Sequence, residues 1–417
     1  MKSYSQALKI LKENIIEIND ENINSSESLN RISSVDIYIN LDYPSANNAS
    51  FDGYAIKSKD TNKLDNKIYQ KFKIVGSIAA GDKPIKKKIK KFETVEIMTG
   101  ALIPKSFDTI IPIEQINFYP NKKDARYILL NKKIPKFENV RFKGSDYKKG
   151  DLLISKGTIL QSNHILGLKT LGIKKIRVKK KPNILFFSTG NEITNEDNIS
   201  DWEIRNSNCY YIYSLNRNFF FNFKDGGILR DNQSNLFKSH ISKMLKSKID
   251  MIITSGAVSA GKFDFVPSVV NKFKLSDYFK SVAIRPGKPI LFAKLKGKHK
   301  VIFGLPGNPI SSAACFRFFV YPYLLSLLGI KDEKPVQAIL KNKFEKKSKF
   351  TRFVKSKMNT TKNGKIEVRI LPGQESFRVK SFIKSNIWVR LPSGKSKFKK
   401  GDIVDCFFPN HPNKIFF

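Results

Sequence analysis

Residues Asp250 to Ser311 constrain the fold more than any other stretch. They read DMIITSGAVSAGKFDF, then VAIRPGKPILFA, then VIFGLPGNPIS, and in each part an apolar run breaks into a glycine- or proline-rich turn. Short apolar runs with such punctuation suit strands buried on both faces of a sheet, and a helix is expected after at least two of them. Gly256 and Gly261 permit backbone conformations closed to other residues and let a ligand approach the main chain. In GLPGNP, Asn308 is placed to cap a helix whose first turn holds Pro309, because proline's missing N–H would be unbonded there anyway. Such a helix start, beside a glycine loop at the end of a neighbouring strand, is where an open α/β sheet receives phosphate. Either loop alone reads more simply as a tight turn; with the PGKP turn between them, the set points to an anion site. Gly256 to Lys262 also matches the GxxxxGK spacing of a P-loop. Phe263, however, stands where Ser or Thr would hold magnesium, which argues against that class of ATPase.

A chain of 417 residues is long enough for about three domains with several cores. Its 76 Lys and Arg against 36 Asp and Glu give a formal charge of +40, which suggests nucleic acid or an anionic surface. The lysines are nevertheless spread along the chain, with small knots only at Lys86 to Lys91 and Lys179 to Lys181. Asn, Ile and Phe are abundant too, and all four types have A/T-rich codons, so base composition explains the charge better than a nucleic-acid footprint. Cys209, Cys315 and Cys406 show no CxxC spacing, which disfavours a disulfide framework or zinc ribbon. His164, His240, His299 and His411 are scattered and read as surface or packing residues. The N-terminus lacks the apolar core of a signal peptide and places Tyr4, Leu8, Leu11 and Ile15 on one helical face. The most membrane-like segment, Ala313 to Ile330, contains Arg317 and Pro322 and follows the capped turn, so a buried domain helix is expected. A soluble, cytoplasmic protein that engages neither membrane nor specific nucleic acid is the expectation.

Along the chain, residues 1–40 read as a helix and a strand near Val35 to Ile39, too little to bury a core alone. From 41 to 139, alternation such as FKIVGSIAAGD and ETVEIMTG predicts short strands of a β-rich region. Within it, the polar Asn117 to Lys136 segment reads as a hairpin or exposed loop. A helix is predicted over Gln161 to Leu171. Between about Pro182 and Ile330 strands and helices alternate: ILFFST, a helix after Asn206, FKDGGILR, a helix around Leu236 to Leu245, then the opening stretch. That alternation makes a mostly parallel, doubly wound sheet with helices on both sides. From Pro335 onward, VQAIL, FVKSKM, IEVRIL, IWVRL and DIVDCFF, separated by NG, PG and SG turns, predict a small β-barrel or sandwich.

Acidic residues beside glycine turns stand out in so cationic a chain: Asp52 in FDGY, Asp146 in GSDY, Glu192 in TGNE, Asp231 in LRDN and Asp264 in GKFD. Each can equally cap its own turn or pair with a lysine. Arg285 and Lys288 bracket the PG turn between the two glycine loops, the first suited to a bidentate clasp and the second to a point charge. No Ser/His/Asp or Cys/His arrangement suggests a covalent step through the protein.

SGAVSAGKFD, RPGKP and GLPGNP, with NNASFDGYAI from Asn47, MTGALIP from Met98, RFKGSDYKKGD from Arg141 and FSTGNEI from Phe187, together resemble the molybdopterin molybdenumtransferase family. Its animal relative forms one end of gephyrin. The resemblance covers nearly the whole chain. It implies a discontinuous helical domain (1–40 and 140–178), an inserted β-rich domain (41–139), a central molybdopterin-binding α/β domain (179–330) and a C-terminal barrel (331–417). The implied reaction inserts molybdate into adenylylated molybdopterin and releases AMP with magnesium. Asp264 and Glu192 are the implied magnesium ligands, with Asp231 near the phosphates and Asp52 and Asp146 bordering the cleft. Ser255, Gly256, Ser259 and Gly261, and Pro306, Gly307, Asn308 and Pro309, form the two substrate-binding loops, with Thr99 and Ser188 as hydroxyl contacts. Asn206 and Asn208 bind phosphate or cap their helix, and Ser376 and Ser381 in GQESFRVKSF contact molybdate or substrate. Phe51, Ala257, Asn191 and Asn232 depart from the usual motifs, and Ala257 restricts its loop if that position needs positive φ. A homodimer, with contacts to the adenylyltransferase and to recipient molybdoenzymes, is also implied. Two other readings are open: the adenylyltransferase, which shares the central fold, and a gephyrin-like scaffold. The first leaves the other domains unexplained, and the retained carboxylates argue against the second.

Overall fold

The computed structural model describes residues 1–83, 85, 88–215, 221–259, 261 and 264–409. Lys86, Lys87, Lys262, Phe263 and His411, and with them the comparison to a P-loop, lie outside those residues. The chain divides into two compact units, one of Met1–Val35, Lys156–Ser162 and Lys175–Phe417, the other of Asp36–Ser155 and Asn163–Lys174.

The first unit is built on a six-stranded sheet. Its strands are β1 (Asn183–Thr189), β2 (Asn222–Leu229), β3 (Met251–Ser255), β4 (Leu275–Lys280), β5 (Leu291–Leu295) and β6 (Val301–Leu305), in the order β2-β1-β3-β6-β5-β4. The first four in that order run parallel, and β5 and β4 add antiparallel. Successive residues of β1 point to opposite faces, and both faces are covered. Ile184 and Phe186 join one cluster with Ala7, Leu11 and Ile212, while Leu185 and Phe187 join another with Phe237, Ile241, Val266 and Val269. Such two-sided burial explains why the strands read as unbroken apolar runs. The helices supplying those side chains are Tyr4–Glu13, Ser207–Leu215, Ser234–Met244 and Phe265–Val270. Tyr4–Glu13 begins with a capping box, Ser3 Oγ accepting from the Gln6 N–H and Gln6 Oε1 from the Ser3 N–H.

The turns after β3 and β6 lead into helices, whereas β5 hairpins into β6. A helical run from Pro309 to Leu327 is long and apolar enough to cross a membrane, but 89% of it is buried inside the unit. Arg317 on this run is itself buried; its guanidinium clasps both Glu333 carboxylate oxygens and donates to the Phe408 carbonyl, which satisfies the charge a buried arginine would otherwise leave unpaired.

Five further strands, β7 (Val336–Leu340), β8 (Thr351–Thr360), β9 (Ile366–Ile370), β10 (Ile387–Leu391) and β11 (Ile403–Phe407), follow the order β8-β9-β7-β11-β10, and β10 pairs back onto β8. The ring is a closed barrel around Leu340, Val354, Val368, Val389, Leu391 and Cys406. A two-residue strand, Ile284–Arg285, lies parallel to β8 opposite Thr351 and Arg352. This register brings the RPGKP corner to the barrel.

The second unit contains another six-stranded sheet, in the order Thr109–Pro112, Gly53–Ile56, Glu93–Ile97, Asp65–Ile78, Tyr127–Lys132, Asn117–Tyr119. The polar Asn117 to Lys136 segment is therefore a hairpin at the sheet edge. The helix Ser162–Thr170 coincides with the span predicted over Gln161 to Leu171.

Candidate functional site

The site of the first unit forms where β1, β3 and β6 end. Ser255 closes β3, and Gly256 turns the chain at φ +106°, its N–H donating to the Leu305 carbonyl at the end of β6. A Cβ on Gly256 would meet the Thr189 carbonyl oxygen at 2.6 Å, so only glycine fits against the end of β1. Ala257 follows at φ +53°; this alanine does stand in the left-handed region, at a cost glycine would avoid. The Gly261 N–H donates to Asp264 Oδ2 at 2.7 Å, and that carboxylate oxygen lies 2.9 Å from where a Cβ would be.

Asn308 occupies the N-cap position with Pro309 at the start of the helix, but its side chain makes no cap bond. Its Nδ2 donates to Ser376 Oγ at 3.2 Å instead. The cap position was legible from sequence and the long-range contact was not. Asn208, rather than any cap, links the two corners: its Nδ2 donates to Ser255 Oγ at 2.7 Å and to the Gly307 carbonyl at 2.8 Å. Asn206 is buried, accepting from the Ser188 hydroxyl and donating to Asn195 Oδ1 at 3.0 Å.

Three hollows meet around Asn308, which lines all of them. One of about 400 Å³ is bordered by Glu192, Asp231, Gly256, Ser259, Asp264 and Gly307, so Gly256, Asn308 and Asp264 share a single cavity. A second, about 250 Å³, is bordered by Ser188, Glu192, Asn206, Asn208, Ser255 and Pro309. The third and largest, about 860 Å³, holds Arg285, Lys288, Pro306 and Ser376 together with Lys347, Lys349, Arg352 and Gln374. These last four were not distinguishable in a sequence full of lysine. Arg352 stands out physically: burial, then the neighbouring positive charge of Arg285, pulls its guanidinium below the usual arginine value. Among the described residues lining it, five cations face this cavity with Glu375 alone opposing them, which makes a receptor for an anion.

The Asn191 side chain accepts the Asp231 N–H at 3.1 Å, and Arg230 donates to the Asn191 and Ile193 carbonyls at 2.8 Å. Asparagine keeps the acceptor that orients this turn. Ser381 does not line any of these hollows; its hydroxyl donates to the Gly373 and Arg378 carbonyls. Asp52, Thr99 and Asp146 belong to the second unit. Asp52 Oδ1 accepts both the Thr99 N–H at 2.7 Å and the Thr99 hydroxyl at 2.8 Å, and these bonds hold its carboxyl below the usual aspartate range. Asp146 is exposed, its N–H bonded to the Tyr43 carbonyl.

Residues 2–172 match the family described as MoeA N-terminal region (domain I and II), residues 186–326 the probable molybdopterin binding domain, and residues 337–407 the MoeA C-terminal region (domain IV). A Staphylococcus epidermidis protein named molybdopterin molybdenumtransferase is 33% identical over 97% of this chain and 94% of its own length. The chain belongs to the molybdopterin molybdenumtransferase family. A Staphylococcus aureus member with the same name is 32% identical over 91% of the chain and 88% of its own length. Two crystal structures of the molybdopterin biosynthesis MoeA protein from Pyrococcus horikoshii superpose with TM-scores of 0.82 and 0.81, at 29% and 26% identity. Both cover 98% of this chain and at least 99% of their own. The fold class expected from sequence, a doubly wound central domain with β-rich and barrel portions, is that of these family members.

Proposed function

We propose that this chain performs the transfer for which its relatives are named, inserting molybdate at the dithiolene sulfurs of adenylylated molybdopterin and releasing AMP. The observation that carries the reading is the shared position of Asn308 and Pro306: they border both the carboxylate-lined cavity and the cation-lined one. A phosphorylated ligand held by the corners at Gly256 and Gly307 would therefore reach an oxyanion held by Arg285, Lys288, Arg352 and Ser376. Both reactants are anions, and fixed cations offset their repulsion without reorganising at the moment of reaction. Ser188, Asn208 and Ser255 orient the nucleotide portion, and Asp231 borders its phosphates.

The donor set fits magnesium in one specific sense. Among the described residues no three acidic, His or Cys side chains gather into a metal cluster, which does not suit an all-protein cage. Glu192 and Asp264 do border one cavity, and among the described residues Asp264 commits one oxygen, to the Gly261 N–H. One or two carboxylates completed by water and substrate phosphate is the usual magnesium arrangement. Bound there, the ion would polarise the phosphoryl oxygens. Asp264 meanwhile fixes the glycine loop, and the two glycine corners orient the phosphate.

The same reading takes the protein to be a cytoplasmic homodimer with the four-domain division given above, acting between the adenylyltransferase and recipient molybdoenzymes. The deciding assay measures AMP release from adenylylated molybdopterin with and without molybdate and magnesium. Release that needs both, and that loses its magnesium response in Asp264→Ala, is expected. AMP release indifferent to molybdate would refute the proposal.

A further inference from the structure

Lys355 lies in the middle of β8, paired through its backbone with Trp388 of β10, and is only 1% exposed. Its Nζ donates to three carbonyls of one loop: Gly373 at 2.7 Å, Glu375 at 3.1 Å and Arg378 at 3.1 Å. An ammonium group has three donors and no acceptor, so all three are used. The backbone of the same residue is clasped by the loop in return. Gln374 Oε1 accepts the Lys355 N–H at 2.9 Å, and Gln374 Nε2 donates to the Lys355 carbonyl at 2.8 Å. That loop supplies Gln374, Glu375 and Ser376 to the cation-lined cavity, and Ser376 in turn meets Asn308.

We propose that Lys355 is a positioning residue for oxyanion binding, setting Ser376 and Gln374 at the cavity wall through the carbonyls of the 373–378 loop. The inference rests on the reading that this cavity receives molybdate. It differs from an ordinary structural role in its pH behaviour. Burial pulls the Lys355 pKa down to about 8; of the three charged groups that act on it, Glu375 opposes that fall, and Arg352 and Arg378 add to it. Because the unfolded chain keeps this proton up to the ordinary lysine range, deprotonation of the folded protein above about pH 8 adds to global stability rather than subtracting from it. The loop responds in the opposite direction. A neutral amine has two donors and a lone pair, so one of the three carbonyls loses its partner and the loop loosens. Oxyanion affinity is thus expected to fall with rising pH while this titration leaves the fold no weaker.

The test is calorimetric titration of molybdate into the full chain at pH 7 and pH 9, with thermal unfolding measured alongside, for the wild type, Lys355→Met and Lys355→Arg. At a pKa near 8 the protonated fraction changes about tenfold across that interval, so wild-type affinity should fall by up to about tenfold. Lys355→Met should bind weakly at both pH values without that fall. Lys355→Arg, whose charge does not titrate there, should bind at pH 7 within a few-fold of wild type and keep that affinity at pH 9. A Lys355→Met protein with wild-type affinity and pH response overturns the inference while leaving the molybdate site intact. Wild-type protein that binds no molybdate at either pH overturns both. Should the Met variant not fold, the comparison of wild type with Lys355→Arg decides, equal pH responses being the refuting result.

Discussion

Gly256→Ala isolates the backbone corner on which the site is built. At φ +106° an L-residue is strained by about 1–3 kcal/mol. The added methyl would lie 2.5 Å from Thr189 Oγ1 and 2.6 Å from the Thr189 carbonyl oxygen. The hydroxyl could rotate away only by abandoning the Ser255 carbonyl, to which it donates at 3.1 Å, a loss of about 1 kcal/mol. The carbonyl belongs to the end of β1 and cannot rotate, so strand and corner must separate, an overpacking cost of about 1–3 kcal/mol. Together these give about 3–7 kcal/mol, a large fraction of the roughly 5–15 kcal/mol that holds most domains folded. Gly307→Ala is the matched control. Its φ is not positive and its nearest neighbour, Gly256 Cα, is 3.6 Å from the new Cβ, so a change within about 0.5 kcal/mol is expected. Urea unfolding followed by circular dichroism compares the two. If Gly256→Ala proves as mild as Gly307→Ala, the corner is not constrained as described.

Two other substitutions probe the same region. Asn208→Ala removes both bonds that join the corners and should lower stability by about 1–2 kcal/mol. Asn208→Asp should be worse, since a carboxylate oxygen would face the Gly307 carbonyl; a milder Asp variant in the same urea measurement would contradict the donor assigned to Asn208. Ala257→Gly relieves a left-handed alanine costing about 1–2 kcal/mol but adds about 0.5–1 kcal/mol of unfolded-state freedom, so stability raised by about 0.5 kcal/mol, and with it a higher urea midpoint, is expected. A lowered midpoint would mean that the methyl's packing beside the cluster of Val258 and Val266 outweighs the strain.

Much of the architecture was legible because it is written in short-range pattern. Strands buried on both faces leave unbroken apolar runs such as ILFFST and DMIITS, and punctuation by glycine and proline marks where each ends. Residues whose roles depend on distant chain segments were less visible. Asn308 could be placed at a helix start, but not seen to reach Ser376, 68 positions away in the chain. Arg352 and Lys355 are two cations among 76; only the closure of the barrel shows one facing the cavity and the other turned inward against carbonyls. Gly261 illustrates a different limit: nothing in the sequence shows that its N–H and its missing side chain face Asp264.

The two-residue pairing of Ile284–Arg285 with Thr351–Arg352 has a consequence for how the molecule fails. Residues of a strand alternate between faces, so sliding β8 by a single position would exchange Arg352 with Phe353, whose ring stacks on Phe318 of the buried helical run. Such a slip would push an aromatic ring into the cationic cavity and a guanidinium into the aromatic cluster at once. Misregistration of the barrel and loss of the anion receptor are therefore one event, and a variant of β8 that folds with its aromatic stack intact keeps its receptor as well.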